Sequence, residues 1–381
     1  MKRRDFFKLS SFGLATGGLL GCISPAKSAE DASASPAGKD GDPFTRRAAW
    51  FQPLAEKKVR CGLCPTACVL KPGQTGLCRV RSNVDGELVT RVFGRLVAMA
   101  NDPIEKKPLN HFLPGTKALS VSTVGCNFAC RFCQNWEISQ SGPDERRARF
   151  GYVSPAKLVA MAKERGARSI AFTYGEPVVF YEYMIETARL ARKAGIHGVM
   201  ISNGYIQPGP LDELLKVLSA IKVDFKAYDE RFYSEFCGGS LQPVLKTLEK
   251  VAKSKVWLEM VHLTIPSLND GLEAVDKLAG WVKTHLGPDV PLHFTRFHPT
   301  YKLRNLPPTP VRSLVQAYER ARAAGLHYVY VGNLPGHDAE HTRCHVCGEL
   351  IIERVGYSVR SRFVEPGRCP KCSAKIPGVW L

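Results

Sequence analysis

The sequence predicts an α/β fold: a partial (β/α)6 barrel of TIM-like type with small cysteine-rich, metal-binding appendages at both ends. Three observations carry that expectation. From residue 118 onward, short apolar runs alternate with helical patterns, the arrangement that builds a parallel sheet. Polar and charged residues gather where those runs end, as they do on the C-terminal rim of βα barrels. The thirteen cysteines are clustered, four at 61–78, three at 126–133 and four at 344–372, with only Cys22 and Cys237 standing alone. Tight cysteine clusters with two-residue gaps point to metals more than to a disulfide framework.

Strands are expected over 119–124, 169–173, 198–202, 222–226, 256–265 and 291–297, with a seventh candidate at 327–331. Helices are expected over 178–194, 210–219, 241–253, 273–285 and 311–324. Another starts at Ser154-Pro155, a capping serine followed by proline at the first helical position. A doubly wound open sheet is the alternative arrangement. A chain of 381 residues is long enough for a large α/β domain plus appendages. Its 44% hydrophobic and 23% charged content is that of a globular protein. The net charge of +18 comes from scattered Lys and Arg, which reads as a solvated basic surface.

Residues 1–29 read as a twin-arginine-type signal peptide: Arg3-Arg4, two phenylalanines, then a Gly-rich apolar run. That run is too short for an ordinary membrane span. Leu19-Leu20-Gly21-Cys22 resembles a lipobox, which would make Cys22 a membrane lipid anchor, and Ala26-Lys27-Ser28 is a competing cleavage site. Residues 30–48, rich in Ala, Ser, Asp and Gly, read as a linker.

The Cys-rich N-terminal region, 49–110, holds Cys61, Cys64, Cys68 and Cys78. Four cysteines with little hydrophobic periodicity fit a small knuckle folded on a metal. Zinc and a second iron–sulfur cluster both satisfy this ligand set, with a structural site as the simpler reading. The run 84–97 alternates around Asp85-Gly86 and reads as a hairpin, and 101–111 reads as a polar, Pro-bounded loop.

The core, 111–333, opens on Gly125-Cys126-Asn127-Phe128-Ala129-Cys130-Arg131-Phe132-Cys133. Thiolates spaced C-x3-C-x2-C can hold three corners of a [4Fe–4S] cube and leave the fourth iron without a protein ligand, where four cysteines are the usual complement. Along the rim follow Glu176 in Tyr-Gly-Glu-Pro, Asn203-Gly204, Asp224 and Lys226 in one strand, and His298. Singly, each has an ordinary reading as a loop or turn residue. Asp224 and Lys226 are two apart and share a strand face. Inward-facing charge needs a partner, and mutual pairing is the simplest one.

These residues resemble the radical S-adenosylmethionine (SAM) enzymes. The C-x3-C-x2-C motif with an aromatic residue, Phe132, before its last cysteine is that superfamily's signature. Where the superfamily usually has Gly-Gly-Glu-Pro, this chain has Tyr174-Gly175-Glu176-Pro177. Asp224-Phe225-Lys226 and His298 resemble the glycyl-radical-enzyme activases, of which the pyruvate formate-lyase activating enzymes are examples. Residues 60 to 375 look like the AmmeMemoRadiSam-system branch, on the C-x2-C start, the Asp102–Pro108 loop, Cys133-Gln-Asn-Trp136 and the Cys-rich tail.

The resemblance implies a [4Fe–4S] cluster on Cys126, Cys130 and Cys133, with SAM on the open iron. It implies reductive cleavage of SAM to a 5′-deoxyadenosyl radical that abstracts hydrogen from a substrate. Glu176 would accept from the SAM amino group. Asn203, Asp224, Lys226 and His298 would position its ribose and carboxylate, and Phe132 would contact the adenine. A flavodoxin- or ferredoxin-like electron donor is implied, and the activases act on a protein partner. SAM chemistry implies the cytoplasm, whereas the N-terminal signal predicts export to the periplasm or a membrane anchor.

In the tail, 340–381, Cys344-x2-Cys347 and Cys369-x2-Cys372 form a zinc-ribbon or rubredoxin-like pattern. Zinc is the first choice and iron the second. The intervening 349–364 alternates like a hairpin. Tyr357 and Phe363 are too few for a base-stacking platform, so nucleic acid is not an expected partner. The alternative to an enzyme is an exported, non-catalytic iron–sulfur electron carrier, which has no need of the rim residues.

Overall fold

A computed structural model describes residues 41–334 and 336–381. The signal segment with Cys22, and residues 30–40 of the linker, lie outside the described residues. Residues of the expected linker are part of the fold: β1 (Arg46–Arg47) pairs with a later strand and Ala48 is buried. After β1, β2 (Phe51–Pro53), β3 (Val59–Cys61) and β4 (Val69–Leu70) form one small antiparallel sheet. A second joins β1 to β6 (Glu87–Thr90) and β6 to β5 (Arg81–Val84). The hairpin therefore spans 81–90 rather than 84–97. Its turn sits on Asp85-Gly86, whose φ angles of 52° and 94° are the left-handed pair such turns require.

The central sheet has eight strands in chain order: β7 (Ala98–Pro103), β8 (Lys117–Ser122), β9 (Ser169–Phe172), β10 (His197–Ser202), β11 (Ala220–Phe225), β12 (Trp257–Thr264), β13 (Leu292–Arg296) and β14 (Val329–Gly332). From β8 to β14 every neighbouring pair is parallel, while β7 runs antiparallel on β8. The seventh parallel strand takes its place beyond the six of the expected barrel. The second half of β7, residues 101–103, falls in what reads as a loop, and the central sheet begins before residue 111. Its Asn-Asp-Pro ending hides it, since proline is tolerated only where a sheet hydrogen bond is not needed.

Strands such as Ser169-Ile-Ala-Phe172 are buried on both faces, which is why they read as continuous apolar runs rather than alternating ones. The helices are α1 (Trp136–Ser139), α2 (Pro155–Glu164), α3 (Tyr181–Lys193), α4 (Pro208–Leu215), α5 (Glu230–Phe232), α6 (Leu241–Ala252), α7 (Leu272–His285) and α8 (Val311–Ala323). At the start of α2, Ser154 Oγ accepts from the Lys157 N–H at 3.2 Å, the cap that its sequence announces.

The tail forms an antiparallel sheet of β15 (Thr342–Arg343), β16 (Leu350–Val355) and β17 (Ser358–Ser361). It is not a free-standing bead: Ile351, Ile352 and Ile376 share a small core with Tyr328 and Tyr330 of the barrel edge. Among the described residues no helix is long and apolar enough to cross a membrane.

Candidate active site

The loop that leaves β8 is held from three sides. Gly125 has φ 95°, and a Cβ there would stand 2.5 Å from the Cys78 carbonyl oxygen, so only glycine fits. The N–H groups of Ala129 and Arg131 donate to the carbonyls of Cys237 and Phe236, at 2.7 and 2.9 Å. Asn135 Nδ2 donates to the Tyr174 carbonyl at 2.8 Å, tying the loop to the end of β9.

Cys126, Cys130 and Cys133 line one cavity of about 440 Å³ together with Phe132, Glu176, Asn203, Asp224 and Lys226. The rim set is thus assembled, with one exception. His298 is exposed and is not among the lining residues, because the chain past β13 carries it outward while its neighbour Phe297 takes the buried place.

Glu176 is buried and serves as an acceptor hub. Oε1 accepts from Ser202 Oγ at 2.7 Å and from the Val178 N–H at 3.1 Å, and Oε2 accepts from the Asn203 N–H at 2.8 Å. Burial pushes its carboxyl up to about 7, against the pull of those three donors. Asn203 Nδ2 donates to Asn127 Oδ1 at 2.8 Å, and its Oδ1 accepts from the Tyr205 N–H at 2.9 Å.

Asp224 does not simply pair with Lys226. Its short ion pair is with Lys222, a buried lysine on the same strand face that the sequence reading missed although it stands in the same alternation. Burial pushes the Asp224 carboxyl up, but Lys222 and Lys226 together hold it below its ordinary value. Burial likewise pulls Lys226 down, and Asp224 with the Cys130 sulfur overrides that and keeps it firmly protonated. Burial pushes the Cys126 and Cys133 thiols up, whereas a hydrogen bond with the Cys237 thiol holds Cys130 lower. Cys237 itself is buried and does not line the cavity.

Further residues line the cavity that the sequence places elsewhere or gives no role there. Lys106, Lys107 and Pro108 come from the loop after β7, and Tyr357 comes from the turn between β16 and β17 of the tail. Asp102 organises the first group. It accepts from Lys107 Nζ at 2.6 Å, from Lys106 Nζ at 3.0 Å and from the Tyr174 hydroxyl. The Lys107 ammonium also lies 4.4 Å from the centre of the Tyr174 ring. The sequence signal for this arrangement is the Asp102–Pro108 loop, which carries the resemblance without assigning its lysines a role.

The two four-cysteine sets differ. In the tail, the sulfurs of Cys344, Cys347, Cys369 and Cys372 all lie within 4.8 Å of one another, with Cys344–Cys372 and Cys347–Cys369 at 3.6 Å. Tetrahedral bonds of about 2.3 Å put zinc-bound sulfurs roughly 3.8 Å apart, so the tail is a metal-binding group closed around one ion. In the N-terminal region, Cys61, Cys64, Cys68 and Cys78 line a separate small cavity of about 20 Å³ with Arg81 and Asn127.

A family profile described as Radical SAM superfamily matches residues 120–282. The uncharacterized protein MJ0808 of Methanocaldococcus jannaschii is 42% identical over 333 residues, covering 87% of this chain and 98% of that one. The pyruvate formate-lyase-activating enzyme of Clostridium pasteurianum is 26% identical over 51% of this chain and 84% of its own length. A radical SAM methyltransferase structure from Sphaerobacter thermophilus is 18% identical with a TM-score of 0.46, over 58% of this chain and 67% of that chain.

Proposed function

The chain belongs to the radical SAM superfamily, and we propose that it abstracts hydrogen from a protein or peptide substrate as an activating enzyme does. It is an enzyme of radical SAM chemistry. The substrate class is our reading, supported by its similarity to activating enzymes. The observation that carries the site assignment is one cavity shared by three thiols, a buried carboxylate and a buried ammonium.

That donor set fits the family's cofactors. Three cysteines leave one corner of a cube free for SAM, and the fourth nearby thiol, Cys237, does not line the cavity. When bound, the cluster and SAM supply one-electron cleavage to methionine and a 5′-deoxyadenosyl radical. In our reading Cys126, Cys130 and Cys133 hold the cluster. Glu176 accepts from the SAM amino group, and Lys226 pairs with its carboxylate. Asp224 and Asn203 position the ribose, and Phe132 packs against the adenine. Lys222 keeps Asp224 ionised and fixed. A flavodoxin- or ferredoxin-type protein supplies the electron, and the tail group holds zinc as a structural ion.

The substrate class is tested with deuterated proteins. The reconstituted enzyme is given SAM, dithionite and either the protein or the small-molecule fraction of deuterium-grown source cells. Deuterium in 5′-deoxyadenosine from the protein fraction supports the reading. Deuterium from the small-molecule fraction alone overturns it.

A further inference from the structure

The N-terminal four-cysteine set has no part in the SAM site, and its geometry is unlike that of the tail. Among the described residues, the tail tetrad is the only group of three or more ligating side chains whose atoms all lie within 4.8 Å of one another. No three sulfurs of Cys61, Cys64, Cys68 and Cys78 stand that close, although all four face one cavity. A single zinc ion draws its four sulfurs to roughly 3.8 Å from one another. A cube spreads them, because each cysteine binds a different iron. The sulfurs of Cys126, Cys130 and Cys133, which line their own cavity, likewise do not all lie within 4.8 Å of one another. The N-terminal set therefore matches the cluster-binding trio rather than the ion-binding tail.

A second observation shows that the site is built for an anionic occupant. Arg81 lines the N-terminal cavity and is 2% exposed. Its terminal nitrogens are both committed to Glu182, at 2.9 and 2.8 Å. Its Nε is buried without a hydrogen-bond partner. A buried donor left without an acceptor is costly, and the sulfurs of an occupied site are acceptors of the right charge.

The position is also specific. Asn127 lines the N-terminal cavity while the preceding residue, Cys126, lines the SAM cavity. The Cys78 carbonyl is the atom that presses on Gly125. The two sites thus share a wall one residue thick in sequence.

We propose that Cys61, Cys64, Cys68 and Cys78 hold a second [4Fe–4S] cluster, with Arg81 Nε as a donor to its sulfurs. This goes beyond the SAM-site reading and stands on different residues.

The test is the acid-labile sulfide and iron content of the full-length chain after anaerobic reconstitution. Sulfide is the deciding number, because an ion held in the tail adds none. The expected result is about eight sulfides per chain in the wild type and about four in Cys126→Ala/Cys130→Ala/Cys133→Ala. No sulfide in the triple variant, with a second zinc in its place, would overturn the proposal. In Cys64→Ala/Cys68→Ala, about four sulfides assign the missing set to the N-terminal site. Were that variant to misfold, the wild-type and triple-variant counts still decide. Failure of the SAM-site reading looks different: the triple variant would then keep the full wild-type count.

Discussion

The Asn203 N–H donates to the Glu176 carboxylate at 2.8 Å, joining the end of β10 to the loop after β9 at the floor of the cavity. Burial keeps the Glu176 carboxyl protonated up to about pH 7 in the folded chain, against 4.5 as its ordinary value. The folded state therefore holds this proton more tightly than the unfolded one. Its stability contribution is whole below about 4.5 and drains away as pH rises to about 7. With Glu176 accepting from the SAM amino group as proposed, SAM binding should have the opposite slope, since the amino group needs the carboxylate. Between pH 6 and 8 the affinity of the cluster-loaded enzyme for SAM should rise by about tenfold. In Glu176→Gln, calorimetric titration should find weak binding with no such slope.

Asp102 joins the loop after β7 to Tyr174. Asp102 and Lys107 are both buried, and removing one partner strands the other. Asp102→Asn should destabilise the chain by about 3 kcal/mol or more. Lys106→Ala, which removes the half-exposed partner of the same carboxylate, should cost less than about 1 kcal/mol. Urea denaturation midpoints of the two variants check the contrast.

The sulfurs of the tail are closed around a space for one ion. The purified chain should carry about one zinc, and Cys347→Ser should lose it. Because the tail core includes Tyr328 and Tyr330, the loss should open residues 340–381 to proteolysis while the iron of the central cavity stays. Metal analysis and limited digestion of the full chain read both effects.

Arg3 and Arg4 head the signal-like segment. Cell fractionation should find the wild-type chain in the periplasm or membrane and the Arg3→Lys/Arg4→Lys variant retained in the cytoplasm. Cytoplasmic location of both would end the export reading.

The parallel strands were legible because burial on both faces writes each as an unbroken apolar run, as in Ile170-Ala-Phe172. The thiol trio was legible from spacing alone. β7 was not, because its residues are half polar and its place is set by pairing with β8. Lys222 was visible as a third charge in the Lys-Val-Asp-Phe-Lys alternation, but its partner was assigned to Lys226 instead. His298 lies one residue past Phe297, and alternation sends it outward. Tyr357 reaches the cavity from a different sheet, a placement that no local pattern records.

The central claim is that Cys126, Cys130 and Cys133 carry radical SAM chemistry. Its most direct measurement is 5′-deoxyadenosine formation from SAM and dithionite by the anaerobically reconstituted full-length chain, wild type against Cys130→Ala. The account predicts SAM-dependent product from the wild type and only background from the variant. Equal product from both would contradict it.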